Sequence, residues 1–112
     1  MSITIYHNPR CSKSRQTLQL LEDQGIKPTI IEYLLTPPTA VELKEILSKM
    51  NKGAKDVLRR KEAREDGVDP DLDEEALIDA IVRHPRTLER PIVVNGNKAA
   101  IGRPPESVLD IL

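Results

Sequence analysis

Apolar and polar residues change period several times along this chain, and each change marks an element. Ile3-Thr4-Ile5-Tyr6 reads as a short strand, broken by Asn8-Pro9. From Ser12 to about Gln24 the residues are good helix formers, with Leu18 and Leu21 on one face and Leu20 beside them. Gly25 is placed to stop that helix. Residues 29–34 (TIIEYL) read as a second strand. Strand, helix and strand in such a short span make a βαβ unit, with parallel strands and a right-handed crossover.

Pro37 and Pro38 close that unit. Thr39 is suited to cap a helix, and Glu42 three residues on completes a capping box. Leu43, Ile46, Leu47 and Met50 then form an amphipathic stripe. Gly53 interrupts, and the charge-rich residues 54–65 read as a second short helix. After the loop Gly67-Val68-Asp69-Pro70, Asp73 caps a third helix whose apolar face is Leu77, Ile78 and Ile81, and His84-Pro85 ends it. Asn95-Gly96 between two apolar runs over 90–101 is the strongest hairpin signal in the chain. Pro104-Pro105 opens a last helix, with Val108, Leu109 and Leu112 expected on its inner face.

The order β-α-β, helical block, β-β, α predicts an α/β protein with a thioredoxin-like fold. Its mixed four-stranded sheet carries a helical insertion, about residues 39–85, between strand 2 and the C-terminal hairpin. A length of 112 residues suits one domain, 1–112.

Composition narrows the function. Seventeen basic against eighteen acidic residues give a net charge of −1, which argues against a general nucleic-acid binder. Tyr6 and Tyr33 are the only aromatic residues, so base-stacking platforms are almost absent. No apolar run approaches the ~18 residues of a membrane span, and no signal-peptide pattern opens the chain. A lone cysteine makes no internal disulfide, so a reducing, cytoplasmic setting is expected; a monomer is the expected state. Two histidines and one cysteine, far apart, make a zinc site improbable. His84 reads as an exposed helix-end residue. The acidic run Asp69–Glu75 lacks the spacing of a calcium loop.

That cysteine, Cys11, sits in the polar, basic stretch HNPRCSKSR between the first strand and the first helix. A helix N-terminus offers free N–H groups and a partial positive charge, which favour both a thiolate and an oxyanion beside it. His7 and Lys13 could add to the effect. Arg15 lies at C-x3-R spacing, unlike the C-x5-R of phosphatase loops. Ser14 stands where a dithiol oxidoreductase has its second cysteine, so any resolving thiol must come from outside, with glutathione or a glutaredoxin the natural source. Arg90-Pro91, directly before a strand, could take a cis bond and bring Arg90 near Cys11.

The segments HNPRCSKSR, VLRRK (57–61), ERPIVV (89–94) and IGRPPE (101–106) occur in that order. Together they resemble the glutaredoxin-coupled arsenate reductase family, in a short branch of it, over nearly the whole chain. The resemblance implies that Cys11 is the nucleophile and that Arg59, Arg90 and Arg103 hold the arsenic oxyanion. Arg59 is taken over Arg60 by setting Val57-Leu58 against the apolar pair that precedes the family's arginine. It further implies support of the thiolate by His7, hydrogen bonds from Asn8 and Ser14, glutathione as co-substrate, glutaredoxin as partner, and no metal or bound cofactor. The sequence departs from better-known members in the charged Lys13 after the cysteine and in the polar stretch 61–69. Two other readings stand beside it. One is a glutathione-dependent thiol reductase of another substrate. The other is a non-catalytic RNA-polymerase-binding regulator, whose usual C-x-x-C switch Ser14 removes.

Overall fold

The computed structural model describes residues 2–112. It divides into two compact units, one formed by the chain up to Thr36 together with Arg90–Leu112, the other by Pro37–Glu89.

The first unit holds the sheet. Strands β1 (Ile3–His7), β2 (Thr29–Glu32), β3 (Ile92–Asn95) and β4 (Lys98–Ile101) lie in the order β2-β1-β3-β4. β1 and β2 are parallel, joined by helix α1 (Ser12–Asp23), while β3 is antiparallel to both β1 and β4. Ile5 faces Ile30 on one side and Val93 on the other. Ile5, Leu21, Val93 and Val108 form a fully buried cluster, with Leu18, Ile26 and Ile111 packed against it.

Helix α1 ends as the sequence predicts. Gly25 takes φ +78°, its N–H donates to the carbonyl of Glu22 at 2.9 Å, and that of Ile26 donates to Leu21 at 3.0 Å. This is a Schellman termination, which needs a left-handed residue at the Gly25 position.

Two expectations for this unit are corrected. Strand 2 stops at Glu32 rather than Leu34, because its partner strand ends at His7, opposite Glu32. Beyond that pair the chain turns, with the amides of Leu35 and Thr36 bonded to the Glu32 carbonyl, burying Tyr33 and exposing Leu34 and Leu35. The last element, Pro105–Ile111, is a 3₁₀ helix. Three residues per turn place 105, 108 and 111 on one face. Val108 is therefore buried as expected, but Leu109 and Leu112 are exposed and Ile111 packs inward in their place.

The second unit is helical: α2 (Ala40–Met50), α3 (Arg60–Glu65) and α4 (Glu74–Arg83). Both halves of the Thr39–Glu42 capping box form, and Asp73 caps α4 by accepting from the Ala76 amide. α2 packs on α4, and Leu43, Ile46 and Leu47 of the one and Leu77, Ile78 and Ile81 of the other are buried.

Residues 54–65 are not one helix. A 3₁₀ turn over Ala54–Val57 gives way to extended Leu58 and Arg59, and α3 starts only at Arg60. The cause is a tertiary pairing. Leu58 bridges Leu88, the Arg59 amide donates to the Thr87 carbonyl at 2.7 Å, and the Glu89 amide donates to Val57 at 2.7 Å. Among the described residues no helix is long and apolar enough to cross a membrane.

Candidate active site

The break after β1 is built by Asn8. Its side-chain oxygen accepts from the Arg10 amide at 3.0 Å, and its carbonyl accepts from the Cys11 amide at 3.0 Å. Those bonds tighten HNPRC into a turn that delivers Cys11 as the N-cap residue of α1, with extended backbone. Arg15 ties the same turn from the helix side, donating to the Pro9 carbonyl at 2.9 Å. Its role at C-x3-R spacing is to hold the loop.

Cys11 is only partly exposed. Burial pushes its thiol up, but this is outweighed, and the net shift is below the ordinary thiol value. The opposing influences are the Ser14 amide, the adjacent Arg90 guanidinium and the Lys13 amide. The two amides close no strict capping bond to the sulfur; they act as helix N-terminal dipoles aimed at it. Lys13 thus contributes through its backbone.

Two arginines meet at the sulfur. Arg90 lies beside Cys11, as its position before β3 suggests. Arg103 places Nη2 3.5 Å from Sγ while its Nε donates to the Arg90 carbonyl at 2.8 Å. Arg90-Pro91 and Arg103-Pro104 both carry cis peptide bonds, the second not expected from the sequence.

The remaining members of the loop act on one another. His7 Nδ1 lies 2.6 Å from Ser14 Oγ, and the Asn8 amide donates to the same oxygen at 3.0 Å. Burial lowers the His7 pKa, Glu32 raises it and Arg15 lowers it, for a net downward shift that keeps the ring neutral at pH 7. That shift favours the neutral ring over the imidazolium. His7 holds Ser14, whose amide faces the sulfur.

Arg59 belongs to the second unit. Its Nη1 donates to Glu89 at 2.7 Å and its Nε lies 3.2 Å from Glu62. Burial would lower the Arg59 pKa, but Glu89 and Glu62 raise it further, so the side chain stays charged. The i,i+3 spacing of Glu62 is readable from the sequence. Glu89, thirty residues away, is not.

A single thiol on the loop between a strand and a helix N-terminus, with cis-proline segments beside it, defines a thioredoxin-like protein of the one-cysteine type. The chain belongs to the ArsC family, whose model matches residues 6–111. It is 48% identical over 114 residues to the uncharacterized protein YfgD of Escherichia coli K12, a match spanning 98% of this chain and 96% of that one. It is 49% identical over 114 residues to an arsenate reductase of Neisseria meningitidis, spanning 98% and 97%. The solved arsenate reductase from Vibrio cholerae superposes with a TM-score of 0.93 at 47% identity, covering 100% of this chain and 98% of that one.

Proposed function

We propose that this protein is an arsenate reductase that uses Cys11 as nucleophile and draws its electrons from glutathione and a glutaredoxin. The observation that carries the reading is the sulfur of Cys11 set between the guanidinium groups of Arg90 and Arg103 at a helix N-terminus. Arsenate is a tetrahedral anion, doubly charged near neutral pH. Guanidinium groups offer it paired donors and stay charged, and they also stabilise charge that builds on its oxygens during attack. Proteins named as arsenate reductases, nearly half identical over nearly the whole chain, support the same substrate.

The proposed sequence begins with attack of the Cys11 thiolate on arsenic(V). An S–As bond forms and one oxygen leaves as water after protonation. The thiol of glutathione then displaces a second oxygen as water, giving arsenic(V) bonded to both sulfurs. A glutaredoxin thiolate attacks the glutathione sulfur. The S–As electron pair passes to arsenic, reducing it to arsenic(III), and a glutaredoxin–glutathione disulfide forms. Hydrolysis of the remaining S–As bond returns the Cys11 thiol and releases arsenite. Arg90 and Arg103 hold the anion, and Arg59 is assigned a part in turnover on the strength of its VLRRK segment.

The test is arsenate-dependent NADPH consumption with glutathione, glutaredoxin and glutathione reductase, beside Cys11→Ser. Activity lost in Cys11→Ser supports the reading. A folded wild-type protein that consumes no NADPH with arsenate overturns it.

A further inference from the structure

The two guanidinium groups at Cys11 come from different segments, and something must set their spacing. Gly102 lies in the segment that follows β4, directly before Arg103, and its amide donates to the Pro91 carbonyl at 2.9 Å, one residue after Arg90. With the Arg103 Nε bond to the Arg90 carbonyl at 2.8 Å, these contacts lace the two arginine segments together residue by residue.

Gly102 is buried, and its backbone lies outside the left-handed region, so what it requires is space. A methyl group there would overlap Thr17 Oγ1 and sit 2.9 Å from Pro91 Cγ and 3.0 Å from Thr17 Cγ2. Thr17 does not yield easily. It is fully buried in α1, and its hydroxyl donates to the Lys13 carbonyl at 2.8 Å. Gly25 and Gly96, by contrast, have open space around them.

We infer that the close approach of Gly102 to Thr17 is the positioning contact that sets Arg103, and through it Arg90, at the Cys11 sulfur. Thr17 stands on the same helix whose N-terminus carries Cys11. Seating Gly102 against it therefore measures the Arg103 segment directly against the nucleophile. Any side chain at 102 moves that segment away from α1. A displacement of about 1 Å at a reacting centre is enough to cost roughly a hundredfold in rate. The consequence for arsenate turnover rests on the proposed function, whereas the consequence for the thiol does not.

The test compares wild type, Gly102→Ala and the double variant Gly102→Ala/Thr17→Ala. Two readouts are used: the pH dependence of Cys11 alkylation by iodoacetamide, and kcat/KM for arsenate. In Gly102→Ala the alkylation midpoint is expected to rise towards that of an ordinary thiol, and kcat/KM to fall about tenfold or more. The double variant removes both Thr17 atoms from the overlap, leaves the approach to Pro91 Cγ, and is expected to recover part of each loss. An unchanged midpoint in folded Gly102→Ala overturns the inference, as does a double variant with no recovery. Should Gly102→Ala fail to fold, Thr17→Val presses a methyl on Gly102 from the other side, and an unchanged midpoint there overturns it equally. A wild type that turns over no arsenate removes the substrate reading alone, and the thiol titration still decides the positioning.

Discussion

His7 and Ser14, seven residues apart, meet at 2.6 Å beneath the Cys11 loop. Ser14 Oγ also accepts the Asn8 amide at 3.0 Å. One buried hydroxyl thus closes the turn from both ends of HNPRCSKS, while the amide of the same residue faces the sulfur. His7 and Ser14 thus support the Cys11 loop as a hydrogen-bonded frame, and the charge at the sulfur comes from Arg90 and Arg103.

Removing that hydroxyl should loosen the frame. Ser14→Ala leaves the Asn8 amide without its acceptor in a part-buried site. An unfolding free energy lower by about 1–3 kcal/mol is expected, measured by urea denaturation at neutral pH. A loss within error of zero would show that the hydroxyl holds nothing.

The thiolate should be detectable without any substrate. Cys11 titrates below an ordinary thiol, so its alkylation should already be fast at pH values where a free cysteine is protonated. The folded chain then holds fewer protons on this group than the unfolded chain between the two values. Stability from Cys11 is accordingly full above the unfolded thiol's pKa, declines as the pH falls, and is lost once the pH passes below the folded value. Denaturation of wild type and Cys11→Ser across this range should show the difference shrinking towards low pH.

His7 carries a second acid dependence. Its pKa is depressed by burial, so its stabilisation is present above the ordinary imidazole value and is lost as the pH falls through the folded value. NMR titration of the ring should find the midpoint below 6.5, the ordinary value. A midpoint above it would place a carboxylate, not burial, in control.

Arg59 and Arg60 are neighbours with different surroundings. Arg59 is gripped by Glu62 and Glu89, while Arg60 begins α3 in a surface groove lined also by Arg64 and Asp69. Arg59→Lys keeps the charge but not the paired donors and should cut kcat/KM for arsenate by about tenfold or more. Arg60→Lys should leave it within about twofold. Steady-state kinetics on both variants decides between them, and the reverse ranking would move the assignment to Arg60.

Much of the local structure in both units is legible in residue order alone. Gly25 announces the end of α1, Thr39 and Glu42 the start of α2, and Asn95-Gly96 the hairpin, because caps and turns are set by neighbours a few residues apart. The same holds for Cys11 at the N-cap of α1, since the strand, the Asn-Pro break and the helix are contiguous. Local signals fail where a distant segment competes. Leu58 and Arg59 have helical neighbours yet lie extended, because Leu88 and Thr87 offer them backbone partners.

The site divides along the same line. The sequence by itself determined the place of the lone cysteine, the turn that exposes it and the helix N-terminus behind it, all within one short stretch. Only the tertiary structure decided that Arg103, ninety-two residues away, reaches the sulfur, that Glu89 holds Arg59 and that Gly102 must stay bare against Thr17. Those relations depend on contact distances between segments far apart in the chain. Residue order carries no distances, and only the packed fold supplies them.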